Sequence, residues 1–590
     1  MEKVLHNSIY HSIANSIKDA IKSGFEMDVE PSNLYGLFTT PPNDNLGQIA
    51  FPCFSFAKTL RMGPPQISSK IAEELVKASN PYIKKINPTG PYLNFELNIA
   101  EIGKSVFSEI LSGKFFTKEL LRNAPATLLE YSQPNTHKEL HVGHMRNLCL
   151  GNTLSNLYKY TGHKFYGVTY PGDVGTHVAK CLWYLKKFSP EMPTNDEDKG
   201  SWLGNLYSTA HNMLESERGT ETEESNRVEL TKILKEIESG SGEYFELWTE
   251  TRVWSLDLMK KLYSWAGVEF DRWYFESEMD SPSVELIKRY YDEGKLTKDQ
   301  GAIGMDLSED KLGFCLLLKS DGNGLYATKD VLLAQKKFEE YNIQKNLYIV
   351  DVRQSLHFKQ VFKVLEKVGF EAAKHCEHID YEFVEVPDGA MSSRKGNIVP
   401  LMDLIKNMEE TITKNYLEKY RGDWSDEEIK TTATNIANGA IKYGMVRMDN
   451  NRKIVFEMNE WLKLDGESGP YLQYVYARIN SLCHKLEFKK LDISSINWST
   501  LSKIQETRLA YQLTRFNDIV VDACLNHKTP LLTSYLYDTC KLYNSFYAEC
   551  SVANAETPEL KNARLALSRA TAEVVKNGLA LLGVNAPNRM

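Results

Sequence analysis

The chain has 590 residues, 42% of them hydrophobic and 25% charged, and its net charge is -8. That length exceeds what one core holds, so three or four domains of roughly 100–200 residues are expected. No apolar run reaches the roughly 18 residues of a membrane span, and no overall basic excess marks a nucleic-acid binder.

The first segment, MEKVLHNSIYHSIANSIKDAIKSG, reads as an amphipathic helix rather than a secretory leader. Glu2 and the lack of arginine before Arg61 also argue against a transit peptide. Nine cysteines are scattered without a disulfide framework or zinc spacing. This pattern fits reduced thiols and a cytoplasmic location. Residues 1–118 form one domain, with two helical patterns around PPNDNLGQIAFP. They end in KKINPTGPYLNFELN, a turn followed by alternating strand residues.

Residues 119–404 form a second domain. APATLLEYSQP (124–134) reads as a buried strand ended by proline. HVGHMRNLCLGNTLSNLYKYTG then runs at helical period from His141 to Gly162. KFYGVTYPGD is a strand and VGTHVAKCLWYLKKF a helix, the alternation of a parallel sheet. An inserted helical segment is expected around 189–300. Its polar first part, 189–250, carries acidic runs that read as solvated faces. GFCLLLKSDGNGLYATKD then reads as a hairpin of two apolar strands around Asp321-Gly322-Asn323-Gly324. Helix, strand, helix and the strand HIDYEFVEV follow, and that strand opens into the loop PDGAMSSRKGN. Residues 405–590 form a third domain, helical to the end and without clear strands.

Three histidines, His137, His141 and His144, fall close together. A zinc reading needs HExxH, but Lys138 follows the first histidine and Glu139 comes one step late. The cluster His375-Cys376-Glu377-His378 is too tight for the usual knuckle spacing. No metal site is therefore assigned. A second reading fits the context better. His141 and His144 share one face at a helix start. That start offers free N–H groups at the carboxyl edge of a parallel sheet. Gly143 between them lets a flat ring approach the backbone. Two imidazoles there can stabilise charge on a transferring phosphate. The partner is AMSSRKGN, a loop with hydroxyls and a basic pair suited to covering a polyphosphate.

HVGH and AMSSRKGN resemble the HIGH and KMSKS signatures of class I aminoacyl-tRNA synthetases. EYSQPNTHKELHVGHMRN, YPGDVGTH, YATKDVLLA, SGPYLQYVYARI and the terminal LALLGVNAPNRM resemble segments of the arginyl-tRNA synthetase family. The likeness runs nearly end to end and is weakest at 189–250. It implies an α/β multidomain protein. A split Rossmann-type parallel-sheet catalytic domain would follow an N-terminal α+β accessory tRNA-binding domain and precede a C-terminal all-α anticodon-binding bundle. It also implies that L-arginine and ATP give arginyl-adenylate and pyrophosphate, with arginine then passed to the terminal adenosine of tRNA(Arg). Mg2+ accompanies ATP, and arginine activation needs bound tRNA. The chain acts as a monomer, with a homodimer left open.

By the same resemblance, His141, Gly143, His144, Met391, Ser392, Ser393 and Lys395 bind ATP. Glu130, Tyr326 and Asp330 read the guanidinium, Asn135 and Gln354 hold the amino-acid end, and Ser132 belongs to the same arginine site. Carboxylates suit this task because they accept paired hydrogen bonds from a planar guanidinium. The signature loop departs from its pattern: Ala390 and Ser393 stand where lysines are usual. Many members of the family use a lysine upstream of HIGH instead, which is Lys138 here. Lys138 is expected to take that role, with Arg394 or Lys395 assisting. In the bundle, Tyr471, Tyr474, Tyr476 and Arg478 are candidates to stack on tRNA. Two rivals remain open: a synthetase for lysine, glutamate or cysteine, and a non-enzymatic tRNA-binding protein.

Overall fold

The computed structural model describes residues 2–3, 8–386, 389–390 and 400–590. The chain forms two compact units, residues 124–463 with 582–584, and residues 1–123 with 464–581 and 585–590.

The first of these is built on a five-stranded parallel sheet. Its strands are β1 (Thr127–Glu130), β2 (Phe165–Thr169), β3 (Arg272–Trp273), β7 (Lys345–Asp351) and β8 (Cys376–Tyr381). The spatial order is β8-β7-β1-β2-β3. β1 is buried at all four positions, as a strand covered on both faces is. Helix α1 (Val142–Tyr160) crosses from β1 to β2. Helix α2 (Thr176–Phe188) follows β2. The insertion then adds α3 (Lys199–Ser216), α4 (Thr222–Ser239) and α5 (Glu243–Ala266) before β3. Its helices bury Ala210, Ile233, Ile237 and Trp248 against Val178, Leu182 and Trp183 of α2. The chain resumes through α6 (Glu276–Asp292), α7 (Tyr326–Tyr341) and α8 (Ser355–Lys367). Strands β1 and β7 are neighbours from which the order runs outward in opposite senses. Ligands bind beyond the carboxyl ends of strands at such a point.

Three local expectations change. Across Asp321–Gly324 the apolar run 314–318 makes one antiparallel bridge, Leu318 with Gly324, and no second strand follows. It forms β6 (Phe314–Leu318), antiparallel to β5 (Ala302–Asp306), which also pairs with β4 (Thr297–Asp299). After the turn the chain enters α7. Leu325 N–H donates to Thr328 Oγ1 (3.0 Å), and the Thr328 hydroxyl donates to Leu317 O, so a helix starts where a strand was expected. The strand expected over HIDYEFVEV is two, β8 and Val384–Val386. The latter pairs in parallel with Ile454–Val455, a short strand inside the region expected to be all helical.

The packing of this unit also runs past the expected boundary at 404, through Lys463. Buried Arg146 on α1 supplies one reason. Its guanidinium donates to the carbonyls of Glu382, Arg452 (2.8 Å), Asp449 (3.2 Å) and Asn450 (3.4 Å). Lys442, on the helix Asp426–Val446, is a second tie, donating to the carbonyls of Ala266 and Gly583 (2.5 Å). Arg146→Leu should therefore destabilise this unit by about 3 kcal/mol, since four inward carbonyls lose a charged donor. A lower urea midpoint with an unchanged tryptophan emission maximum of the folded state is the expected reading.

The other unit contains a three-stranded antiparallel sheet in the order Ile49–Pro52, Tyr92–Leu97, Ile83–Thr89. The last two strands form a hairpin where one strand was expected. Helices Ser8–Phe25 and Pro64–Lys77 accompany the sheet. Five helices between Gly469 and Leu581 belong to the same unit, as do short helical elements between Ile99 and Thr117. An ion pair between buried Arg564 and Glu506 (2.7 Å) lies among them.

Candidate active site

The loop from β1 into α1 carries the candidate chemistry. Ser132 and His137 take left-handed backbone conformations, φ 57° and 56°, and turn the chain sharply beyond the sheet edge. Asn147 on α1 accepts from Ser132 N–H (2.6 Å) and donates to Ile349 O (2.9 Å), joining the carboxyl ends of β1 and β7.

His137 is a satisfied core histidine rather than a metal ligand. Its Nδ1 meets Thr136 Oγ1 (2.9 Å), its Nε2 meets Thr251 Oγ1 (2.8 Å), and its N–H donates to Ser255 Oγ (2.9 Å). Burial, aided by the charge of Arg252, lowers its pKa to about 3. The His375–His378 cluster does not converge either. His378 Nε2 meets Val350 O (2.9 Å), while Glu377 pairs with Lys345 (2.8 Å).

His141 is the N-cap of α1. Its Nδ1 accepts from Gly143 N–H (3.1 Å), while His144 Nδ1 accepts from His141 N–H (3.1 Å). The ring that uses the space left by Gly143 is therefore His141's own: a Cβ at 143 would meet it at 2.9 Å. In a neutral imidazole one nitrogen accepts and the other donates. With both Nδ1 atoms accepting, both protons sit on Nε2, and the two rings, 4.0 Å apart, each present one Nε2–H donor. Burial, then the charges of Lys138 and Arg353, lowers the His141 pKa to about 4. Burial also holds His144 well below the ordinary value, helped by His141 and Lys138. These rings stay neutral near pH 7 and act as hydrogen-bond donors.

Lys138 lies within this loop with its Nζ 5.1 Å from the centre of the Tyr207 ring. The other basic candidates, Arg394 and Lys395, lie outside the described residues, as do Met391, Ser392 and Ser393.

A cleft of about 410 Å³ opens beside His144 at the β1–β7 switch point. It brings together Glu130, Ser132, Asn135, Tyr326, Asp330 and Gln354 from three separate stretches of sequence. Their states differ. Asp330 meets His357 Nε2 at 2.5 Å, and Tyr326 stands one turn earlier, 65% exposed. Asn135 fits closely under Gly172, where a Cβ would meet its Oδ1 at 2.2 Å. Ser132 Oγ shares a hydrogen bond with Tyr263 Oη (2.9 Å). Glu130 is buried, and its charge is already answered by the fully buried Lys337, with Gln133 Nε2 donating at 3.2 Å. Glu130 thus faces a buried ammonium, whereas Asp330 faces an imidazole.

The cleft also holds a carboxylate that the sequence reading missed. Glu276 begins α6, just beyond β3, on the same carboxyl edge as the motifs. Burial pushes its pKa up to about 7, against the pull of Lys329 at 3.5 Å. Its one sequence signal is that it follows a strand of the parallel sheet.

Of the tRNA candidates, Tyr474 (39% exposed) and Arg478 face outward one turn apart, and the Arg478 guanidinium lies 4.2 Å from the Tyr547 ring centre. Tyr471 and Tyr476 are buried core rings, and Tyr471 Oη accepts from Asn544 Nδ2 (2.9 Å). The helical period turns these two inward, so they are not stacking platforms.

Residues 106–459, which include the whole cleft, match the family described as tRNA synthetases class I (R), catalytic domain. Its fold is that of a class I aminoacyl-tRNA synthetase. Residues 10–97 match the arginyl tRNA synthetase N terminal domain, and residues 472–590 the DALR anticodon binding domain. The chain is 51% identical over 588 residues to an arginine–tRNA ligase of Bdellovibrio bacteriovorus, covering 100% of both chains. It is 32% identical to one of Clostridium acetobutylicum, covering 97% of this chain and 99% of that one. The arginyl-tRNA synthetase structure of Thermus thermophilus matches with a TM-score of 0.80 at 24% identity, over 98% of this chain and all of the other. The chain belongs to the arginyl-tRNA synthetase family.

The protonation states give a pH expectation. At saturating arginine, the rate of adenylate formation should stay flat from pH 8 to pH 6, since His141, with its pKa near 4, does not titrate there and His144 lies low as well. The arginine KM should instead rise toward acid, because Glu276 takes up a proton near pH 7 and then offers a guanidinium no charge. Steady-state kinetics over that range tests both halves.

Proposed function

We propose that the chain is an arginine–tRNA ligase. The arginine carboxylate displaces pyrophosphate from ATP to give arginyl-adenylate. The terminal adenosine of tRNA(Arg) then takes the arginyl group and releases AMP. The observation that carries this reading is one cleft lined both by His144, whose ring lies 4.0 Å from that of His141, and by the carboxylates of Asp330 and Glu276. Neutral donors at a helix N-terminus suit phosphate oxygens, where they stabilise charge without first losing a proton. Paired carboxylates suit a guanidinium, and Tyr326 closes the same end.

Asn135 and Gln354 hold the amino-acid end of the substrate, with Ser132 shaping the floor beside them. Glu130 serves more as a buried partner of Lys337 than as a direct reader. Lys138 supplies the positive charge that the signature loop lacks at Ser393, with Arg394 or Lys395 assisting, and Met391 and Ser392 contribute to ATP binding. Mg2+ arrives with ATP and is carried mainly by its phosphates. Residues 1–118 and the helical C-terminal part bind tRNA, with Tyr474 and Arg478 on the exposed face. The enzyme acts in the cytoplasm, as a monomer or a weakly associated dimer.

Charging of unfractionated tRNA with labelled arginine, beside lysine, glutamate and cysteine, tests the proposal. Esterification of arginine alone is expected. Folded protein that binds tRNA and charges nothing would replace the enzyme reading with that of a binding module.

A further inference from the structure

Residues 189–250 carry no sequence motif, yet their first helix lies directly against the turn that precedes His141. Gly204 on α3 touches the backbone of Glu139 so closely that a Cβ would meet its N at 2.5 Å and its Cα at 2.8 Å. One turn earlier, Ser201 Oγ donates to Glu139 Oε1 (3.4 Å). One turn later, the Tyr207 ring, 4% exposed, lies beside the Lys138 ammonium. These three positions share one face of α3. Helix α5 holds the other side of the same turn, through Thr251 and Ser255 on His137.

We propose that Tyr207 is a positioning residue for adenylate formation, its ring face holding the Lys138 ammonium in place. The inserted helix is thereby part of the catalytic apparatus. A lysine head on a flexible four-carbon stem samples many positions, and a fixed aromatic face within about 6 Å restricts them. Gly204 and Ser201 fix the backbone from which that stem rises. The inference rests on the reading of Lys138 as the cation that assists the leaving pyrophosphate.

The test is ATP–pyrophosphate exchange with tRNA present, in a double-mutant cycle. Tyr207→Leu is expected to lower kcat about tenfold with the arginine KM and tRNA affinity unchanged. Tyr207→Phe keeps the ring face and should stay within about twofold. In a Lys138→Ala background, Tyr207→Leu should add no further loss, because its effect passes through the lysine. Tyr207→Met replaces the leucine variant if that one melts early. A loss that multiplies with that of Lys138→Ala, or no loss in either Tyr207 variant, overturns the role of Tyr207 while leaving Lys138 intact. Unchanged exchange in Lys138→Ala alone would remove the reading of the lysine, and the inference with it.

Discussion

Asp330→Asn should reduce kcat/KM for arginine about a hundredfold to a thousandfold while the KM for ATP stays within about twofold. Removing one member of a desolvated, hydrogen-bonded charge pair costs about 2–5 kcal/mol, and each 1.4 kcal/mol is a factor of ten. Asp330 is placed for such a pair. It lines the cleft, and its hydrogen-bond partner among the described residues is His357, an imidazole whose pKa, against the effect of burial, that carboxylate raises and which can release its proton when a guanidinium arrives. Glu130 makes the contrast. Its carboxylate already faces the buried ammonium of Lys337, so Glu130→Gln would strand that ammonium and lower stability more than arginine affinity. The two variants, compared by aminoacylation kinetics and thermal melting, separate substrate reading from support. An unchanged arginine KM in Asp330→Asn would remove that residue from the site.

Much of this site is legible in the sequence because its chemistry sits in short contiguous runs. EYSQPNTHKELHVGH carries the end of a strand, a loop and a helix cap within 15 residues, so the local pattern alone orders the parts. Tyr326 and Asp330 stand one helical turn apart and reach the cleft as one face. Glu276 was hidden for the opposite reason. It is an isolated carboxylate after a two-residue strand, at the far end of a long insertion, and only the sheet brings it beside Asp330. Partners across sequence are equally silent. Nothing in the run TLLE announces that Lys337, on a helix more than 200 positions later, will answer its glutamate. Tyr471 and Tyr476 show a third limit. A tyrosine-rich helix reads alike whether its rings face tRNA or a core, and only the packing of the bundle turned Tyr474 and Arg478 outward. The hairpin expected at Asp321–Gly324 stops at one bridge, Leu318 with Gly324, because Thr328 starts a helix before a second strand can form.

The other large effect is expected at His144, and its logic separates structure from chemistry. Its Nδ1 accepts from the His141 N–H at the start of α1, while its Nε2–H is left for a ligand. His144→Ala removes both functions and should slow adenylate formation about a hundredfold to a thousandfold, the usual loss when one preorganised donor to a developing charge is deleted. Loss of the cap should cost about 1 kcal/mol besides. His144→Asn keeps a side-chain oxygen near the place of Nδ1, so the cap and the melting temperature should survive while the rate falls as far as in the alanine variant. His144→Gln extends an amide toward the place of Nε2 and should recover part of the rate with weaker capping. If His144→Asn kept the wild-type rate, the ring would be serving the helix start alone. The phosphate role would then rest on His141 and Lys138. If the asparagine variant is stable and slow, the same imidazole both closes the helix end and donates to the transferring phosphate.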